Sequence, residues 1–398
     1  MRHQSLTAVS AAAAILVIGP MACSATTEPR PTGPLALQRQ TFATAGSRSC
    51  LLDPDGVPVC WGSPPVPSSP GGGTLRLRTI SGVGDHFCGL SADSTAYCWG
   101  DNRYGQLGDG SRQARTEPVR VATDLKFVAL AAAVHSTCAV DGGGRAYCWG
   151  RNDYGALGNG QMVEGGVGLA PTPVSTTVRF RTVSAAFPVC GISLANVIYC
   201  WGMIPGSFDP DIYRQVGDCT TVYYFWYQGK QCLTPTALGG DVRFQVLTRA
   251  SCGLTSAGAA YCWGDGFYGQ LGNGEIGVYA VNPVAVAGNR TYRALTTGGV
   301  HSCALAADGQ AFCWGLNVRG QLGNGDDGGP GWIPVVRPEP VPVQTTERFA
   351  VISAGDHTCA ATEARAVWCW GPRFGNLPVL VPLTLPLTMQ RRAAASEK

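Results

Sequence analysis

The sequence predicts an all-β fold: a seven-bladed propeller of four-stranded antiparallel blades, its ring closed by a C-terminal strand. Three observations carry that reading. Seven cysteine pairs, Cys50/Cys60, Cys88/Cys98, Cys138/Cys148, Cys190/Cys200, Cys252/Cys262, Cys303/Cys313 and Cys359/Cys369, each enclose nine residues. Trp-Gly follows the second cysteine every time. The composition, with 54 glycines, 27 prolines and only 14% charged residues, is that of many short strands and tight turns.

The nine-residue gap is a hairpin. In the sixth unit, Ala307-Asp308-Gly309 reads as a three-residue loop whose left-handed position Gly309 fills without a Cβ clash. That loop sets Leu305 opposite Ala311, Ala304 opposite Phe312, and Cys303 opposite Cys313. Directly opposed residues lie within reach of a disulfide. Zinc would want closely spaced pairs such as C-x-x-C, and these are absent. Leu305 and Ala311 share the sulfurs' face, while Ala304, Phe312 and Trp314 point the other way. A sheet apolar on both faces is covered on both sides. Small sheets of this kind, recurring every 38 to 62 residues, make stacked or radial blades, and seven fit a closed ring.

In chain order, residues 1–22 read as a signal peptide: Arg2 and His3 precede an apolar run ending at Ile18, too short to span a bilayer. The run into Cys23 resembles a bacterial lipoprotein signal, which implies lipidation at Cys23; cleavage after Ala25 is the competing expectation. Residues 23–40 form a proline-bearing tether, 41–387 the propeller and 388–398 a tail. Setting Cys23 aside, sixteen cysteines remain, seven blade pairs plus Cys219/Cys232. A chain that can be fully oxidised fits export from the reducing cytosol. The expected location is therefore the bacterial envelope, as an outer-membrane lipoprotein, or the medium if Cys23 is not lipidated.

Each unit carries a Pro-Val strand such as Pro118-Val119, then a strand ending in small residues, then the hairpin. Four units add a full loop after Trp-Gly: Tyr104-Gly105-Gln106-Leu107-Gly108, Tyr154-Gly155-Ala156-Leu157-Gly158, Tyr268-Gly269-Gln270-Leu271-Gly272 and Arg319-Gly320-Gln321-Leu322-Gly323. A phosphate cradle would need a following helix and usually a lysine, so these glycines are read as sites of close approach between blades. Residues 378–387 resemble the Pro-Val strand and are expected to complete the first blade.

The motifs resemble the regulator of chromosome condensation repeat family: Gly, then His-Ser/Thr, an apolar hairpin with Asp-Gly at its turn, Trp-Gly, and Asn-x-x-Gly-Gln-Leu-Gly. Residues 295–325 and 90–110 match well, and the resemblance covers roughly residues 41–387. It implies a seven-bladed β-propeller, and the cysteine pairs look like an exported bacterial branch of the family. The family's founder exchanges guanine nucleotide on a small GTPase through a projecting β-wedge and binds chromatin. An exported relative inhibits β-lactamases through one propeller face. The fold and the habit of binding proteins carry over, and no contact residue does.

Net charge is +3, with no basic stripe, so nucleic acid is not an expected partner. The histidines His86, His135, His301 and His357 each sit two or three residues before a blade cysteine, in different blades, which reads as structural. The carboxylates Asp85, Asp93, Asp141, Asp308 and Asp356 fall mostly at turns. The feature that does not repeat is the insertion at 203–245, where Cys219 and Cys232 bracket five consecutive aromatics, Tyr223, Tyr224, Phe225, Trp226 and Tyr227. Rigid aromatics dominate binding energy at interfaces; the competing reading folds them back over a blade edge. Trp332, in a glycine-rich loop, is a second candidate contact. The expectation is a monomeric, non-enzymatic envelope protein without cofactor or metal, binding a protein or surface polymer through loops on one face. A secreted hydrolase or lyase using the channel is the alternative, and guanine-nucleotide-exchange-like activity ranks behind it.

Overall fold

The computed structural model describes residues 41–382 except 46–47, 63–69, 71, 163–164, 186–187, 206–218, 225–226, 239, 249–250 and 327–334. The described part holds 28 strands in seven antiparallel sheets. Blades two, three, five, six and seven have four strands each, blade four has five, and three strands of blade one are described. Blade six shows the pattern: inner strand Tyr292–Thr297, second strand His301–Ala306, third strand Ala311–Leu316, outer strand Val336–Pro342. Its hairpin has the expected register, with Leu305 on Ala311, Ala304 on Phe312 and Cys303 on Cys313.

The two faces of the hairpin do different work. In blade six the sulfurs, Leu305 and Ala311 pack onto Phe349, Ala360 and Trp370 of blade seven. The opposite face, with Ala304, Phe312 and Trp314, packs onto Cys252, Leu254 and Cys262 of blade five. The sulfur face of one blade thus meets the aromatic face of the next, as it does between blades two and three and between three and four. The tryptophans Trp149, Trp201, Trp263, Trp314 and Trp370 are all buried there. Burying such a side chain is worth about 1.5–3 kcal/mol, so each joint holds a core of its own.

Two expectations are corrected. The Pro-Val strand does not open a blade: Arg115–Arg120 pairs with Ala96–Gly100 and is the outer strand of blade two. The sequence repeat is therefore one strand out of phase with the blade. For the same reason residues 378–380 do not complete the first blade. They belong to Gly375–Leu380, which pairs with Val367–Gly371 of blade seven. The chain turns tightly after Trp370-Gly371, with Phe374 N–H donating to Gly371 C=O at 2.9 Å, so it returns along its own sheet. Residues 383–387 lie outside the described residues. The ring closes by packing: Phe42 and Leu51 of blade one lie against Cys359, Ala361, Val367 and Cys369.

In the same way the described residues of the stretch 203–245 belong mostly to blade four. Its residues Tyr227–Leu238 run along Ile198–Pro205 as the outer strand, and Thr220–Tyr224 adds a fifth strand beyond it.

Candidate functional site

A propeller has two faces, and here they differ. One, the turn face, carries the turns between second and third strands and the crossovers between blades. The other, the loop face, carries the histidine turns and the loops that follow Trp-Gly.

The loops are built rigidly. Asn102 is fully buried and accepts from the N–H of Leu107 at 3.0 Å through Oδ1, while its Nδ2 donates to the carbonyls of Ser111 and Gln113. Asn152 and Asn317 make the same bond to Leu157 and Leu322, also at 3.0 Å. Gln106, Gln270 and Gln321 accept through Oε1 from the N–H two residues earlier. So held, Leu107 enters the core between blades two and three. The carbonyl of Gln106 accepts from Trp149 Nε1 at 3.0 Å, and Gln270 serves Trp314 likewise. Gly108, at φ 68°, is required where it stands: a Cβ there would come within 2.6 Å of Trp149 Nε1. This is the close approach that the loop glycines predicted.

The histidines are joints. His86 Nε2 lies 3.0 Å from Thr137 Oγ1 of the next blade, and the Thr137 hydroxyl donates to Gln106 C=O at 2.8 Å. With its proton so committed, Thr137 accepts, which fixes the proton of His86 on Nε2. His301 meets Thr358 at 2.7 Å and His357 meets Ser49 at 3.1 Å in the same way. The last contact spans the closure, so the ring seals with the joint used elsewhere. Burial pushes the His86 pKa down to about 3, against a smaller opposing pull from Asp101. His135 is half-buried and packs on Tyr104, ring centroids 4.7 Å apart, and the Arg151 guanidinium lies over the same Tyr104 ring, 5.0 Å from its centroid.

The loop face offers apolar side chains outward beside exposed Arg103, Arg112 and Glu275. Phe267 is 63% exposed and Ile276 59%, both on the loop of blade five. Val134, Met162 and Val318 are also exposed on this side. Met162 lies in the loop 161–170, which the sequence offers as a weaker candidate contact. Phe267, Ile276, Val134 and Val318 escape sequence reading because single apolar positions inside a loop carry no periodicity; only the fold shows that they share a face.

All eight cysteine pairs are joined: Cys50–Cys60, Cys88–Cys98, Cys138–Cys148, Cys190–Cys200, Cys219–Cys232, Cys252–Cys262, Cys303–Cys313 and Cys359–Cys369. The blade pairs have Cα atoms 4.0 to 4.1 Å apart, the narrow spacing of opposed antiparallel residues. Cys219–Cys232 is no surface clip. Both residues are buried beside Phe244 and Trp263, between blades four and five. Blade four lacks the Gly-Gln-Leu-Gly loop, and the disulfide occupies the place that the loop leucine has elsewhere. Tyr223, Tyr224 and Tyr227 lie on the hairpin above it, with Tyr224 paired to Tyr227. Phe225, Trp226, Trp332 and Cys23 lie outside the described residues.

The central channel encloses about 490 Å3 and is lined by the inner strands of all seven blades. Its lining mixes small and hydroxyl residues, among them Ala43, Ser81, Ala131, Ser184 and Ser353, with larger apolar ones such as Leu130 and Ile352, and Arg181 and Arg293 stand beside them.

Comparison with known proteins agrees with this architecture. The regulator of chromosome condensation (RCC1) repeat profile matches residues 93–140, 143–187, 257–305 and 308–362, and a second profile of the same repeat matches 78–106, 128–156 and 292–321. The chain is 32% identical over 130 residues to the mitochondrial RCC1 domain-containing protein RUG3 of Arabidopsis thaliana, covering 31% of this chain and 27% of that one. It is 30% identical over 140 residues to the ultraviolet-B receptor UVR8 of the same plant, covering 34% and 31%. The matched segments thus span about a third or less of these curated relatives. Among solved structures, human WBSCR16 superposes with a TM-score of 0.63 at 18% identity, over 83% of this chain and 86% of that one. Prp20p of Saccharomyces cerevisiae, described with its binding to Gsp1p and histones, superposes at 0.61 with 17% identity, over 89% and 85%. At such identities the likeness is one of fold.

Proposed function

Because this chain belongs to the regulator of chromosome condensation (RCC1) repeat family, we propose that it is a non-enzymatic binding scaffold that holds a protein or surface polymer against the loop face of its propeller. The observation that carries the reading is the pairing of rigid loops with outward apolar side chains on one face. Buried Asn102, Asn152 and Asn317 fix the loops of blades two, three and six, and Gln270 braces that of blade five, where Gly266 stands at the Asn position. Loops so held lose little conformational freedom on binding, and Phe267 and Ile276 supply apolar area that a partner can cover. Tyr223, Tyr224, Phe225, Trp226 and Tyr227 would add aromatic anchors at blade four, and Trp332 another at blade six. Propellers of this fold serve such work: Prp20p is described by what it binds, Gsp1p and histones.

Eight disulfides support folding in an oxidising compartment. In our reading the chain is exported, processed before Cys23, lipidated there and held at the envelope as a monomer.

The test is affinity capture from envelope and culture fractions with three baits: the unaltered chain, F267S/I276S, and a chain with residues 223–227 replaced by Gly and Ser. A partner retained by the first and lost by either variant, at matched melting temperature, supports the proposal. Equal retention by all three removes the loop face from consideration.

A further inference from the structure

Each inner strand of blades two to seven breaks its pairing once, near the turn face. The register shifts fall between Leu77 and Thr79, Phe127 and Ala129, Phe180 and Thr182, Phe244 and Val246, Tyr292 and Ala294, and Phe349 and Val351. The residue between is the extra one of a β-bulge: Arg78, Val128, Arg181, Gln245, Arg293 and Ala350. A bulge frees its residue from the alternation of the strand and re-aims the side chain. Five of the six line the central channel, and the sixth, Arg78, reaches the rim itself by donating to Phe127 C=O at 2.9 Å.

Three of these six residues are arginines, on alternate blades two, four and six, and their partners are neutral. Arg78 bonds through Nη2 to Phe127 C=O and more weakly to Val128 C=O and Ser94 Oγ. Arg181, exposed, bonds through Nη2 to Leu194 C=O at a long 3.4 Å. Arg293 donates to the carbonyls of Ala306, Phe349 and Ala350. Among the described residues none of the three forms an ion pair, although Lys126 and Arg348 on the same face are paired with Asp93 and Asp308. Partial burial draws the Arg78 pKa down with no carboxylate to raise it again. Arg78 and Arg181 keep Nε and Nη1 unclaimed by described residues. Guanidinium forks of this kind match carboxylate and phosphate oxygens.

We propose that the turn-face mouth of the channel, ringed by Arg78, Arg181 and Arg293, is a binding site for a small anion bearing two or more carboxylate or phosphate groups. One charged group cannot meet arginines on three separate blades, whereas a multivalent anion can answer several at once. A cavity of about 490 Å3 suits a compact ligand. Gln245 on the same rim adds a neutral donor. The site lies on the opposite face from the loops assigned to partner binding and stands or falls independently of that assignment.

The experiment is calorimetric titration of the oxidised chain with tripolyphosphate, with citrate and with acetate at low ionic strength. Saturable one-to-one heat from either multivalent anion, without heat from acetate, is the expected result; which of the two binds more tightly tells phosphate from carboxylate. R181Q should weaken that binding about tenfold, the loss of one charge-assisted pair. A350E, which sets a carboxylate on the rim, should abolish it, and K126Q, on the same face outside the channel, should leave it unchanged. Arg181 makes one long bond and is the substitution least able to disturb folding, which a melting curve verifies. No saturable heat with the unaltered chain, or equal weakening by R181Q and K126Q, overturns the proposal.

Discussion

His86 shows how much one side chain can be asked to do. Its Nε2–H feeds a chain of hydrogen bonds through Thr137 to the carbonyl of Gln106, and Nδ1 has no hydrogen-bond partner. A second proton would place a charge in the core of a joint, which is why burial holds the pKa near 3. The unfolded chain protonates this imidazole near pH 6.5 and the folded one does not. Stability from this group is therefore complete above pH 6.5 and drains away as pH falls toward 3, by up to about 1.4 kcal/mol per pH unit. H86Q keeps a donor for Thr137 and removes the titration. Urea denaturation at pH 6.5 and pH 4 should show the variant losing less stability than the unaltered chain over that interval. Equal losses would mean that His86 is not the titrating group.

At the scale of the element, the hairpin was legible because a three-residue loop fixes register. Once Gly309 is placed, every opposed pair follows, and with them the disulfide and the two apolar faces. The order of strands within a blade was less legible. A Pro-Val strand looks the same whether it opens a blade or finishes one, since local pattern does not say which neighbour it pairs with. That choice is made where the chain turns back along its own sheet after Trp-Gly, by a tight turn in blade seven and by the longer loop in blades two, three, five and six. The inner-strand bulges left still less trace. Arginine directly after the core residue recurs in Leu77-Arg78, Phe180-Arg181 and Tyr292-Arg293, but a slip of one residue is invisible without its partner strand. Cys219–Cys232 could be paired by counting, yet its burial between blades could not be seen, because it depends on the loop that blade four lacks. That burial makes a prediction. C219A/C232A should cost about 3 kcal/mol in urea denaturation, from a lost cross-link and a cavity together. C219V/C232V refills the space and should recover part of it; no recovery would assign the whole loss to the cross-link.

For the whole molecule, the ring is a set of seven similar joints, one of which happens to join the two ends. Thr44 meets Ser353 at 3.1 Å and Arg365 donates to Leu52 C=O at 3.2 Å, beside the contact of His357 with Ser49. No strand crosses between blades to lock the described closure, so its strength is that of packed faces. Every covalent link is equally local. The bonds span 10 residues in the seven blade hairpins and 13 in the remaining pair, so each cysteine is tied to its immediate neighbour in the sequence. As the chain enters an oxidising compartment from its N-terminal end, each cysteine therefore meets its correct partner before any later cysteine arrives, which favours native pairing over reshuffling. Reduced and unfolded chain, diluted into a simple oxidant, should regain all eight native bonds by peptide mapping at a rate that an added disulfide isomerase does not change. An isomerase requirement would mean that distant cysteines compete.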